Sequence, residues 1–128
     1  MCIIGTGDDR ARLEHLATAK APTSIEFTGF LSDEEVQQRL AQASLFALPS
    51  RAERFGLVYL EAMTHGVPCI VADAGAAIEV ITSEIGLASK FGDVSDLATK
   101  VTRALQTSWD HAKIRERARV FDFVFFDP

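Results

Sequence analysis

The sequence predicts an α/β fold built on a parallel sheet covered on both faces, and three observations carry that expectation. Short apolar runs alternate with stretches of helical spacing. The runs are near-continuously apolar rather than alternating, as strands buried on both faces are. Three of them stop at Gly5, Gly29 and Pro49, residues that end regular structure. No internal repeat or low-complexity linker divides the 128 residues, so a single domain with a real core is expected.

The elements follow in order. Cys2–Ile4 reads as a strand closed by Gly5, and Asp9 to Thr18 as a helix with Leu13, Leu16 and Ala17 on one face. Ile25–Thr28 is the second strand. Ser32-Asp33-Glu34-Glu35 has the spacing of a capping box, with Ser32 at the N-cap and Glu35 three residues on. Val36, Leu40 and Ala43 then give helical spacing. Leu45–Leu48 is a strand, and Gly56–His65 a helix stopped by Gly66 and Pro68. Cys69–Ala72 is a strand, Ala76–Ile81 a short helix and Gly86–Ser89 a last strand. Asp93 opens a helix carrying Val94, Leu97, Ala98, Val101 and Leu105, and a further helix runs from about Asp110 to Val120.

Composition excludes several functional classes. Hydrophobic residues make up 48% of the chain and the formal charge is −5. The 13 basic residues form no run, which argues against a nucleic-acid surface. A local anion site needs only a helix terminus and a few arginines, so it stays open. Cys2 and Cys69 sit in apolar, strand-like settings without metal-ligand spacing and are expected as buried thiols. His15, His65 and His111 form no cluster, so no metal site is expected. Trp109 is expected to pack. No apolar run approaches the roughly 20 residues that span a bilayer. The expected compartment is the cytosol, with a membrane surface as the alternative.

The chemistry concentrates in residues 49–68. Between Phe55 and Ala72 the only carboxylate is Glu61, in a segment that reads as a buried helix followed by a buried strand. A carboxylate in such a setting is costly unless something polar meets it. Glu53 lies eight positions earlier, just before Phe55-Gly56 opens the helix. Two acids thus bracket a helix N-terminus, whose free N–H groups favour an anion. In parallel sheets ligands bind beyond the C-terminal ends of the strands. The loops there are Gly5–Asp8, Gly29–Ser32, Pro49–Phe55 and Asp73–Ala77, and every candidate motif falls on one of them.

Glu53, Phe55-Gly56-Leu57-Val58, Glu61-Ala62-Met63, Gly66 and Pro68 together resemble the signature of the retaining nucleotide-sugar glycosyltransferases of family 4, the glycosyl transferases group 1. Ile3-Ile4-Gly5-Thr6-Gly7, Ile25-Glu26-Phe27-Thr28-Gly29, Leu45–Ser50 and Asp73-Ala74-Gly75 with Glu79 extend the likeness to residues 1 to about 106. The resemblance implies a Rossmann-like three-layer α/β/α fold, the C-terminal half of the two-domain GT-B arrangement. It makes residues 1–128 a single, partial nucleotide-sugar-binding domain, with 107–128 a divergent C-terminal helix and aromatic tail.

The departures from the family pattern are specific. The acceptor domain and the first part of the donor domain, with its phosphate-binding Arg and Lys, are not among these residues. Gly75-Ala76 stands where the family usually has Gly-Gly.

The resemblance also implies roles. Phe55, Gly56 and Leu57 would cradle the donor diphosphate through backbone N–H groups, and Gly56 lets an anion approach closely. The plainer reading is an ordinary helix start. Glu61 would accept hydrogen bonds from two ribose hydroxyls, which suits an ionised carboxylate; otherwise it is a structural acid. Glu53 would sit against the transferred sugar as the catalytic-side carboxylate, or else be a solvated loop acid. Arg54, with Arg51, would partly replace the missing phosphate-binding cations, or be an exposed loop arginine. Phe30 and Leu31 match the family's base-binding loop, and Leu31 serves equally as a staple for the following helix. Gly5-Thr6-Gly7 is explained by a tight turn. The family's donor sites generally work without a metal, so the donor substrate, a nucleoside-diphosphate sugar, is expected with no further cofactor.

The implied reaction moves a sugar to an acceptor hydroxyl with retained anomeric configuration. Two alternatives stand beside it: a non-catalytic nucleotide-binding or interaction module on the same fold, and a GT-B-type epimerase. The implied partners are an acceptor-domain chain or a second copy. The second copy would pair through the aromatic tail, where the alternation of Phe121, Phe123 and Phe125 suits an added edge strand.

Overall fold

The computed structural model describes residues 1–49, 57–73 and 81–125, without the side chains of Leu57 and of residues 121–125. The element order is β1 (Cys2–Ile4), α1 (Arg10–Lys20), β2 (Glu26–Gly29), α2 (Asp33–Gln42), β3 (Phe46–Leu48), α3 (Leu57–Thr64), β4 (Cys69–Ala72), β5 (Gly86–Ser89), α4 (Val94–Gln106) and α5 (His111–Phe125). Every strand pair is parallel, as the apolar strands and intervening helices require. The described strands form two parallel sheets, β1-β2 and β3-β4-β5. The chain divides into two compact units, Met1–Gln38 and Arg39–Pro128.

In the first unit, Cys2 pairs with Glu26, Ile3 with Phe27 and Ile4 with Gly29. Gly5, at φ 115°, donates its N–H to the Gly29 carbonyl at 2.9 Å. That bond bridges the ends of β1 and β2, and a turn follows, with the Arg10 N–H donating to Gly7 O at 3.2 Å. Two strands have no central member to bury, and the expectation of a buried Cys2 fails for that reason. Cys2 is exposed rather than buried. Helix α1 buries none of its residues, and Leu13 and Leu16 stay 36% and 45% exposed. The capping box forms at the start of α2: the Glu35 N–H donates to Ser32 Oγ at 3.2 Å. The Ser32 hydroxyl in turn donates to the Glu35 carboxylate at 3.1 Å.

The second unit holds the apolar core. All four residues of β4 are buried, and in α3 Tyr59, Leu60, Ala62 and Met63 have no exposed surface. Each large side chain buried this way contributes roughly 1.5–3 kcal/mol. The end of α3 is a Schellman motif: Val67 N–H donates to Ala62 O at 3.1 Å and Gly66 N–H to Met63 O at 2.9 Å. Gly66 supplies the left-handed residue that this motif needs, at φ 75°. Helix α4 is capped by Asp93, whose carboxylate accepts the Asp96 N–H at 2.9 Å. Trp109 packs as expected and donates its Nε1–H to Ala104 O at 2.9 Å, closing the end of α4. Asp110 caps α5 by accepting from Ala112 and Lys113 N–H at 3.1 and 3.2 Å. Ile114 and Ala118 of α5 are buried, and this helix packs on α3.

Helix α5 overturns the edge-strand expectation for the tail. It continues through Phe121, Phe123 and Phe125. Five alternating residues are too few to displace a helix that already has three turns to propagate from. The short helix expected over 76–81 lies outside the described residues, Ile81 excepted.

Candidate functional site

Parallel pairing of Phe46–Cys69, Ala47–Ile70 and Leu48–Val71 brings the carboxyl ends of β3 and β4 to one edge. The Ala72–Ser89 pairing adds β5 to the same edge. Beyond it lie Pro49, then Asp73, then Lys90 and Phe91. Sheet topology therefore brings Pro49 and Asp73, the first residues of two expected ligand loops, to one edge.

Leu57 is the first described residue of α3. Glu61 lies one turn further on, half-buried in an otherwise apolar helix. Glu53, Arg54, Phe55 and Gly56 lie outside the described residues, as do Arg51, Gly75 and Glu79. In the first unit Phe30 is 83% exposed, while Leu31 is half-buried at the entry to α2.

Asp73 is partly occupied by the scaffold. Its N–H donates to Ser89 O at 2.8 Å, and its carboxylate accepts the Phe91 N–H at 3.1 Å. This residue ties the end of β4 to the turn after β5. Beside it, Ser89 is 1% exposed, and its hydroxyl has no hydrogen-bond partner among the described residues.

Two contacts were not foreseen, one at this edge and one at the far end of α3. Tyr59 donates its phenolic hydroxyl to the Leu48 carbonyl, from α3 to the last residue of β3. Its ring meets Phe46 edge to face, with centroids 5.7 Å apart and planes at 74°. The available signal was that the chain's one tyrosine falls in its most apolar helix, and a buried phenol needs a partner. His111 reaches the Gly66 carbonyl through Nδ1 at 2.8 Å.

Cys69 is buried as expected; its thiol points to Val67 O and Tyr59 O at 3.6 and 3.8 Å. Burial pushes that thiol up to about 12 from an ordinary 9.0, which makes it a packing group and not a nucleophile. Among the described residues no three or more His, Cys, Asp or Glu gather as metal ligands. No described helix is long and apolar enough to cross a membrane.

A family model described as glycosyl transferases group 1 matches residues 1–121. Sulfoquinovosyl transferase SQD2 of Arabidopsis thaliana is 34% identical over 123 residues, covering 93% of this chain and 24% of that protein. Among solved structures, the apo lipopolysaccharide outer core galactosyltransferase WaaB superposes with a TM-score of 0.82 at 24% identity. That match covers 94% of this chain and 36% of WaaB. Anabaena HepE in complex with UDP-glucose gives a TM-score of 0.77 at 28% identity, over 98% of this chain and 36% of HepE. The chain thus spans between a quarter and just over a third of the length of these relatives.

Proposed function

Because the chain belongs to the glycosyl transferases group 1 family, we propose that it forms the donor-binding part of a retaining glycosyltransferase. The donor is a nucleoside-diphosphate sugar and the acceptor a hydroxyl. One observation carries the reading. Helix α3 starts at Leu57, at the carboxyl edge of a parallel sheet, and holds one half-buried carboxylate, Glu61, a turn inside an apolar helix.

The backbone N–H groups of Phe55, Gly56 and Leu57 bind the diphosphate in this proposal. The helix end presents roughly half a positive charge. As the bond from the anomeric carbon to the phosphate oxygen breaks, the leaving diphosphate gains negative charge that these fixed dipoles stabilise. The acceptor oxygen bonds to the same carbon on the same face, and its proton passes to the departing phosphate oxygen. Glu61 accepts from the ribose hydroxyls. Glu53 faces the sugar and stabilises positive charge at the anomeric carbon, and Arg54 adds a cation beside the phosphates. The residues of this site supply the donor half. A second surface, from another domain or another chain, supplies the acceptor. That HepE is known with UDP-glucose bound supports the donor class. We further propose that donor binding needs no metal, so chelator leaves it unchanged.

The test compares a nucleoside diphosphate with its 2′,3′-dideoxy analogue by calorimetry, on the wild type and on Glu61→Gln. A hydrogen bond to a charged acceptor contributes roughly 1.5–3 kcal/mol. The wild type should prefer the ribose hydroxyls by a comparable amount, and Glu61→Gln should lose most of that preference. An undiminished preference in the variant would make Glu61 a structural acid. Glu53→Gln should leave nucleotide affinity nearly intact and depress sugar transfer.

A further inference from the structure

The carboxyl ends of β1 and β2 meet at Gly5 and Gly29, and one guanidinium reaches that point from α1. Arg10 Nε donates to the Glu14 carboxylate, one turn along the helix, at 2.6 Å. Its Nη1 fills the space beside Gly29: a Cβ on that glycine would stand 3.0 Å from it. Gly29 is pinned in turn, at φ 71°. Its carbonyl accepts from the Gly5 N–H and from the Thr28 hydroxyl, each at 2.9 Å. Phe30 comes next and is 83% exposed, the most of any large apolar side chain among the described residues.

Helix stability does not explain this arginine. It is the first residue of α1, where the helix field disfavours a cation. An arginine ahead of a glutamate is the weaker order for such a pair, and a pair this exposed stabilises little. What the pairing with Glu14 supplies is direction. With Nε turned to Glu14, the Nη1–Nη2 end of the fork has no hydrogen-bond partner among the described residues.

Two parallel N–H donors, on a guanidinium held against the residue before an exposed aromatic ring, suit one base above the others. Guanine presents O6 and N7 as adjacent acceptors, and a guanidinium fork meets both. Adenine carries an amino group in place of O6, and uracil offers no two adjacent acceptors. An aromatic ring stacks on any base, so it adds affinity without choosing.

We propose that Arg10 sets base specificity and that the base it selects is guanine. Glu14 and Gly29 hold the fork, Arg10 reads O6 and N7, and Phe30 stacks on the ring. This rests on the donor-site reading above, and it makes a guanosine-diphosphate sugar the donor.

The experiment is calorimetry on the 128-residue chain with GDP, 7-deaza-GDP, ADP and UDP, for the wild type and for Arg10→Lys. The lysine keeps the charge and loses the fork. The wild type should bind GDP roughly tenfold or more tighter than ADP or UDP. It should bind 7-deaza-GDP, which lacks the N7 acceptor, roughly fivefold more weakly than GDP. Arg10→Lys should weaken GDP by roughly tenfold, leave ADP and UDP within about twofold, and erase the difference between GDP and 7-deaza-GDP. Wild-type binding with no preference for GDP overturns the base assignment and leaves the donor reading standing. A preference that survives Arg10→Lys overturns it as well, and so does an equal loss of all the nucleotides in that variant, the mark of a structural arginine. If no nucleotide binds the wild type, the donor reading itself fails, and this proposal with it.

Discussion

His111 Nδ1 lies 2.8 Å from the carbonyl oxygen of Gly66, joining the first turn of α5 to the residue that ends α3. The same glycine is held from a second side: a Cβ on it would stand 2.7 Å from Arg115 Nη1 and 3.2 Å from the His111 carbonyl. The arginine tip can swing away, but the backbone oxygen cannot. The stop signal of α3 is therefore also the seat of α5.

Gly66→Ala should accordingly cost on the order of 2 kcal/mol, from the left-handed backbone and the crowding of α5 together. Urea unfolding with an unchanged slope measures it. A loss below about 0.5 kcal/mol, the range of an ordinary surface change, would show that α5 is not seated this closely.

Ser89→Ala should be neutral or stabilising. Among the described residues the buried hydroxyl has no partner, and a buried unsatisfied group costs about 1–3 kcal/mol. Removing it recovers part of that and leaves a void of one atom. Thermal unfolding checks this, and a clear drop in Tm would mean that the hydroxyl has a partner.

The thiol of Cys69 is raised by burial to about 12 from 9.0. The unfolded chain ionises first, so the stabilisation from the neutral thiol is full below about pH 9 and disappears as pH rises toward 12. Between those values Cys69→Ala should lose less stability with rising pH than the wild type does. At pH 8 a thiol reagent should label the exposed Cys2 quickly and Cys69 only on unfolding.

Asp96 has the opposite sign. The Lys90 N–H first, and then Lys100, hold its carboxyl below the ordinary 3.8. The Lys90 N–H donates at 2.7 Å and the Lys100 ammonium at 3.0 Å. The resulting stability is present above about pH 4 and lost as pH falls through the lowered value. Asp96→Asn should melt below the wild type at pH 7, and the difference should shrink on acidification below 3.8. A difference independent of pH would assign the loss to packing.

Strands β4 and β5 end where the sequence indicates, at Cys69–Ala72 and Gly86–Ser89. An unbroken apolar run between turn residues leaves little latitude. The stop of α3 was equally legible, because Gly66 and Pro68 leave the helix no way to continue. The tail was misread, since alternating aromatics suit a strand, yet helix α5 simply propagates through Phe121–Phe125. Cys2 was misread because an apolar neighbourhood in sequence does not tell a central strand from one of a pair. Within the site, the place of Glu61 inside an apolar helix followed from local pattern. The Tyr59–Leu48 bond did not, because it depends on where two elements meet in space.

The central claim is that the start of α3 binds a nucleoside diphosphate. Amide NMR spectra of the 128-residue chain, recorded while UDP, GDP and ADP are added up to concentrations on the order of millimolar, test it most directly. At least one nucleotide should shift the Leu57 and Glu61 resonances in a saturable way, leaving Ile114 and Ala118 unmoved. If none of the three moves Leu57 or Glu61, the donor site is not there.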